Sequence, residues 1–495
     1  MMSSANFTIL GDRPAIHLDS VGFVAGPDIG QHFPLSSGKI QHFEVRSVDP
    51  ISPVPLSRTP RIMGGASPNM TLEEPDSSIL PHILLWTCQI SALASSPFRG
   101  RRTIFSFLII ALAIHCNFHP YFTKDFGLAQ PFSISWSFHL ATLAKLLFSP
   151  SDGPEDQFWR IDKPAREARS YAAFGIRKLR WTAALIFNQR GIRWSHQVKN
   201  IPQSPSTSRH LFLGKRLLEF IGCFFIADLC YELHRRFNFT SPNDDVGWTD
   251  SKHLTLRHPD VTLRLAKSAS FAALPYFMLS MQYAQGAFLA VLLGLSKPEV
   301  RINNLTKPCL FICSLLDQDW PPMFGSFEHL RTVRSFWGSF WHQQLRHMLT
   351  SYTDAFTAAL GIPRGCNLSS YTKLYLAFSI SGIFHALGQL CLPRPSNITA
   401  AESSLGFLYF FVWQAAAITL EDVAIWAARK SIGGPLGVRV QRVANVIGYI
   451  WVLMSMWCSI PLVGDMVLRL RVGTARFSPF PLTRPIIGAL IPIPV

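Results

Sequence analysis

Charge is scarce in this chain. Only 15% of its 495 residues are charged, against about a quarter in ordinary soluble domains. Apolar residues make up 48%, and the mean hydropathy is positive at +0.21. The length alone would suggest two to four soluble domains, but so few charges argue against that division. The nine cysteines are an odd number and contain no Cys-x-x-Cys pair, so neither a zinc site nor a disulfide framework is indicated. Most lie in or beside apolar runs, where cysteine behaves as a small hydrophobe. Also missing are a Gly-x-Ser-x-Gly elbow, a Walker A loop, a His-Glu-x-x-His pair and a dinucleotide fingerprint. A protein nucleophile is therefore not suggested, and no metal or bound cofactor is expected. The first residues lack a basic stretch followed by a compact apolar core. A cleavable signal peptide is not expected, and insertion falls to the first transmembrane helix.

The charge that is present is lopsided, at a net +16. Its basic residues fall largely in loops between apolar runs, as with Arg160, Lys163, Arg166, Arg169, Arg177, Lys178, Arg180, Arg190, Arg193 and Lys199. That placement fits the positive-inside rule and contact with anionic headgroups, with this connection on the cytoplasmic side. Nucleic acid is not expected as a partner.

Residues 1–78 are rich in Pro, Ser and Gly and read as a poorly ordered tail. Residues 79–495 read as one transmembrane domain. A bilayer core takes about 20 apolar residues as helix. Seven stretches qualify: 103–119, 132–148, 211–233, 268–295, 374–392, 405–428 and 443–463. Three weaker ones, 80–94, 310–316 and 485–495, are short or broken by proline. The expectation is an all-α, polytopic transmembrane helical bundle of about 7–10 spans. Two long polar connections cross it, at about 149–209 and 296–367. Sequons such as Asn304-Leu305-Thr306 carry no weight, since such tripeptides are common by chance.

Three clusters carry candidate chemistry. In 374–392, Ser381, His385 and Gln389 recur every four residues and share one helical face. Gly382 and Gly388 would let another helix or a ligand come close. An ionisable residue inside a membrane is costly, so His385 reads either as a functional group, a general base, or as a core histidine bonded to a neighbouring helix. The second cluster runs from Trp320-Pro321-Pro322-Met323-Phe324-Gly325 to Trp341-His342-Gln343-Gln344. Taken as a helix, it places Trp337, Trp341, Leu345 and Met348 on an apolar stripe, opposite Ser335, Ser339, His342 and Arg346. An interfacial anchor helix is the plainer reading of that stretch alone. The third cluster holds Gln414, Glu421 and Asp422, whose carboxylates need a partner such as His385 or an arginine, or mark a helix end. Asp228 and Glu232 are read as a boundary pair.

At these residues the chain resembles the membrane-bound O-acyltransferases, in the wax synthase-like branch, and within it the fungal O-acetyltransferases of terpenoid and meroterpenoid pathways. The block from Pro321 to Gln343 is similar to that branch's "PPLFGS…FWGRRWH/N" run, and Ser381 to Ala386 to its "SGLLHxL" run. Asn188-Gln189-Arg190-Gly191-Ile192-Arg193-Trp194 is similar to "NxRGIGW", and Gln414 to Asp422 to "QAxxIxxED". The four elements stand in family order over about 178–430. The resemblance implies that His385 is the principal catalytic histidine and that His342 takes the second polar position, often Asn elsewhere. Trp337, Trp341, Gln343, Arg346, Ser381, Gln389, Gln414 and Glu421 are the expected substrate-binding residues. Ser339 and Phe340 replace the usual basic pair, so those positions are not read as phosphate ligands. The implied reaction moves an acetyl group from acetyl-CoA, a co-substrate, to a hydrophobic terpenoid-type alcohol in secondary-metabolite biosynthesis. The expected location is the endoplasmic reticulum membrane. A long-chain wax synthase is the nearer alternative and a membrane transporter the more distant one.

Overall fold

Apolar runs separated by proline, glycine and basic loops fold as helices, because a helix satisfies its own backbone polar groups wherever water is absent. The protein is seen here in a computed structural model that describes residues 78–121, 126–149, 153–202, 208–239, 252–294, 296, 320–434, 437–473 and 482–490. The tail at 1–77, the weak span at 310–316, the sequon at Asn304, and Cys309 and Cys313 lie outside these residues. Among the described residues there is no strand beyond one isolated bridge between Arg160 and Trp194.

The order is α1 (Leu80–Ala94), α2 (Arg101–Phe118), α3 (Phe126–Ile134), α4 (Trp136–Leu147), α5 (Ile176–Phe187), α6 (Arg209–Phe239) and α7 (Val261–Leu292). A short turn, α8 (Val333–Ser335), leads into a π-helical turn at Phe336–Phe340. Then come α9 (Arg346–Ala359), α10 (Asn367–Gln389), α11 (Leu405–Ile432), α12 (Val438–Arg469) and α13 (Arg484–Leu490). Consecutive long helices pack as pairs, α6 on α7 and α10 on α11, with α12 lying on α11 and α7.

Three described helices, α2, α11 and α12, are long and apolar enough to cross a membrane on their own composition. The other long helices carry polar side chains that the packing buries, among them Arg216, Asp228, Glu232 and His234 of α6 and Ser268, Ser270 and Ser280 of α7. The stretch 132–148, read as one span, is two helices. Ser135 separates them, its hydroxyl donating to the Phe132 carbonyl at 2.7 Å and so competing with the helical ladder. Asp228 and Glu232, read from the sequence as a boundary pair, are both buried by the packing. Asp228 is fully buried and accepts the backbone N–H and hydroxyl of Thr483, while Glu232 pairs with Arg235.

The glycines of α10 do what their spacing suggested. A Cβ at Gly382 would lie 2.8 Å from Leu408 Cα, and one at Gly388 would lie 2.5 Å from the Ser133 carbonyl oxygen. Without a side chain at either position, α11 and α3 can approach the histidine helix on two sides.

The long basic connection is only partly a solvated surface. Glu155 is buried and accepts both Arg101 at 2.9 Å and Lys178 at 2.6 Å. Arg101 also donates to the Ala92 carbonyl. This cluster ties the end of α1, the start of α2 and the face of α5 to the connection that precedes α5.

Candidate active site

α10 presents His385 against two rings of α11. Its imidazole stacks on Phe407 at 5.0 Å and 18°, and on Phe411 at 5.1 Å and 9°. The two phenylalanines are one helical turn apart, with their own centroids 6.4 Å from each other, so a single face of α11 packs both rings against the imidazole, which also lines a cavity. That cavity has a volume of about 2350 Å³ and largely apolar walls. His385, Gln389, His342, Trp337 and Trp341 all line it.

The stretch expected to be one amphipathic helix is three pieces. α8 passes into the π turn, closed by a bond from Trp341 N–H to the Phe336 carbonyl at 2.7 Å, and the chain then runs irregularly to α9. A π turn widens the helix and re-aims its side chains, and such turns gather at functional sites. Here it turns Trp337 and Trp341, and His342 after them, toward one cavity rather than onto opposite faces. The turn's last carbonyls are taken up by neighbouring side chains. Gln343 donates to the carbonyls of Trp337 and Trp341, and Arg346 donates to that of Gly338 at 2.8 Å and to Gln343 Oε1 at 2.9 Å. Asn200 also donates to Gly338 and to Ser339 Oγ, which occupies Ser339 in a packing contact.

The N-terminal end of this unit is held from α11. Glu421 is buried and accepts the backbone N–H of Val333 at 2.6 Å and of Arg334 at 3.3 Å, and Thr332 Oγ1 accepts that of Ser335. The three free donors of a helix start are thereby met. Asp422 pairs with Arg334 and Tyr371. Gln414 accepts from Trp337 Nε1 at 3.3 Å and donates to Ser459 of α12 at 3.0 Å.

The expected substrate-binding residues therefore divide. Trp337, Trp341 and Gln389 reach the cavity, whereas Gln343, Arg346, Ser381, Gln414 and Glu421 are not among its lining residues. Four of these last five hold the π turn in place; Ser381 is simply buried in α10.

Two further contacts were not foreseen. Gly325 N–H donates to the Phe340 carbonyl at 2.8 Å, and a Cβ there would collide with the Ser339 carbonyl. The Pro-Pro-Met-Phe-Gly run thus lies flat against the π turn because its glycine allows it. Arg190 clamps the same run from the other side, donating to the Pro322 carbonyl at 2.9 Å, the Pro321 carbonyl at 3.2 Å and Tyr283 at 2.7 Å. The sequence showed an Asn-Gln-Arg-Gly element, but nothing in its spacing says that it grips residues 131 and 132 positions away.

Beside the clamp, His196 and His347 face each other with ring centroids 4.9 Å apart, and Phe158 closes over both. Burial, followed by the charges of His347 and Lys145, pushes His196 well below the usual histidine range; burial and Lys145 push His347 down to about 4. Both are therefore neutral in the folded chain at neutral pH. The unfolded chain takes up protons at these positions below pH about 6.5 while the folded chain does not, so folding stability is complete above that pH and falls below it. The melting temperature of the solubilised protein should drop as pH is lowered from about 7.5 to about 5.5, and His347→Phe should flatten the slope. A melting temperature constant across that window would contradict the neutral assignment.

Comparison with known proteins follows the same geometry. Residues 320–413, from the Pro-Pro-Met-Phe-Gly run through the π turn and His385 to α11, match the model described as the membrane bound O-acyl transferase family. Over this segment the chain is similar to that family. Residues 208–292, which are α6 and α7, match the aspirochlorine biosynthesis protein F C-terminal domain. Aspirochlorine biosynthesis protein F of Aspergillus oryzae is 40% identical over 233 residues, 47% of this chain and 91% of that protein. Acetyltransferase ple2 of Rhodocybe pseudopiperita is 29% identical over 279 residues, 56% of this chain and 63% of that protein. Acetyltransferase sirH of Emericella nidulans is 29% identical over 283 residues, 56% of each chain. The matches thus span somewhat over half the length of those two acetyltransferases. The match to that family and the three apolar helices associate the chain with a membrane.

Proposed function

We propose that this chain is an O-acetyltransferase that moves an acetyl group from acetyl-CoA to a hydroxyl of a hydrophobic terpenoid or meroterpenoid intermediate. It would work as a multi-pass protein of the endoplasmic reticulum, in secondary-metabolite biosynthesis. The observation that carries the reading is the placement of His385, stacked against Phe407 and Phe411 and lining a large apolar cavity that His342 shares. The names of the two acetyltransferase relatives support acetyl as the group transferred.

In this mechanism His385 takes the hydroxyl proton of the acceptor as its oxygen attacks the thioester carbonyl. His342 Nδ1 is enclosed and has no protein partner, so the His342 ring is available to the tetrahedral oxyanion. Collapse of that intermediate breaks the carbon–sulfur bond, and the proton held on His385 passes to the departing thiolate. One such oxyanion donor is typically worth about 3 kcal/mol. Trp337 and Trp341 offer flat apolar walls suited to a polycyclic acceptor.

The test uses microsomes from a clean host, supplied with labelled acetyl-CoA or palmitoyl-CoA and a panel of polycyclic terpenoid alcohols. Acetyl esters are expected, with palmitoyl transfer at least about tenfold slower, a difference of about 1.4 kcal/mol in barrier. Preferential palmitoyl transfer would overturn the acetyl assignment in favour of a wax synthase, for which the cavity has ample room.

A further inference from the structure

The Asn-Gln-Arg-Gly element has one member whose chemistry the fold leaves unused. Asn188 closes its own turn, accepting from Ile192 N–H at 3.0 Å and donating to the Ile192 carbonyl at 2.9 Å. Gly191 stands at a φ of 62°, where a Cβ would lie 2.8 Å from the His196 ring. Arg190 is committed to the Pro321 and Pro322 carbonyls and Tyr283, and its own carbonyl accepts from Val198 at 3.1 Å. The loop is therefore held on both sides of Gln189. Gln189 itself is only 8% exposed, its side-chain nitrogen has no hydrogen-bond partner, and it lines the same cavity as His342 and His385. A buried amide left without a partner is rare in folded proteins and calls for an explanation.

Position and chemistry narrow what it meets. Gln189 stands on the polar, basic connection rather than on the apolar helices along which a lipid-like acceptor would enter. A carboxamide both donates and accepts, so it pairs reciprocally with a secondary amide and gains nothing from an alkyl chain. Its rigid mounting means that little side-chain freedom is lost on pairing. We propose that Gln189 is a specificity-determining residue that hydrogen-bonds an amide of the pantetheine arm of the acyl donor, selecting CoA-type thioesters. This rests on the acyl-transfer reading above and adds a residue that reads the donor.

The experiment compares three donors on the full-length chain in detergent or nanodiscs: acetyl-CoA, S-acetylpantetheine with its two amides, and an S-alkyl thioacetate of matched length with none. In Gln189→Ala, kcat/KM for the two amide-bearing donors should fall about tenfold or more, chiefly through KM, because the donor's amide loses its buried partner. The alkyl thioester should lose far less, so the wild-type preference for amide-bearing donors collapses. Gln189→Glu, nearly isosteric, should fold as wild type and show the same selective loss. Equal losses on amide and alkyl donors, or no loss on either, would overturn the proposal while leaving acyl transfer standing. A wild-type chain that takes acetyl from none of the three would instead remove the acyl-transfer reading, and this inference with it.

Discussion

Replacing His385 with alanine is expected to lower turnover by about 10²–10⁴-fold, the range for loss of a positioned general base, with the protein still inserted and folded. Phe407 and Phe411 meet the imidazole by ring stacking and also stack on each other, so neither loses a buried hydrogen-bond partner when the ring is removed. Activity should therefore fall much further than stability. The check is acetyl transfer measured beside the melting temperature and size-exclusion profile of the same preparation. An alanine variant with full activity would sink the general-base role. A variant that fails to accumulate would move the argument to His385→Gln, which keeps a polar group of similar bulk but cannot cycle a proton at neutral pH.

The second large effect lies away from the cavity. Glu421→Ala removes the acceptor of two backbone N–H groups at the start of α8, that of Val333 buried and that of Arg334 part-buried. An unmet buried donor costs about 1–3 kcal/mol and a part-buried one less, so a loss of about 1–3 kcal/mol in stability is expected, with activity falling in parallel because the π turn carries Trp337, Trp341 and His342. Glu421→Gln keeps one acceptor oxygen and should recover part of both. Asp422→Ala serves as the control. Its partner Arg334 is half exposed, and exposed pairs contribute about 0–1 kcal/mol. If the Glu421 and Asp422 variants melt alike, the anchoring role of Glu421 is wrong.

How far the site was legible depended on how local its determinants are. The His385 helix could be read because its evidence is periodic. Gly382, Ser381, His385 and Gly388 lie within two turns of one another, and an intramembrane histidine is conspicuous among apolar neighbours. The helix expected through Trp337 and Trp341 was not legible, because a π turn differs from an α turn by one residue and leaves no composition signal. It exists here because Gln343, Arg346, Asn200 and Gly325 take up its backbone groups, and Glu421 holds the short helix that leads into it. The partner of Asp228 was hidden for the same reason, since Thr483 lies 255 positions away.

His385 is thus the place where both sources of information meet. The sequence by itself determined the helical, membrane-associated class, through hydropathy and scarce charge, and singled out His385 and the Trp-rich block by local pattern. Only the tertiary structure decided which polar residues face the cavity and which hold it together. Gln414, Glu421, Arg190 and Gln189 are all polar residues, and nothing in their local sequence tells one that faces the cavity from one that braces the fold. The first three meet partners 45 to 132 positions away, and the side-chain nitrogen of Gln189 meets none. Hydrogen bonding is short-ranged and directional, so that difference comes into being only when the helices pack.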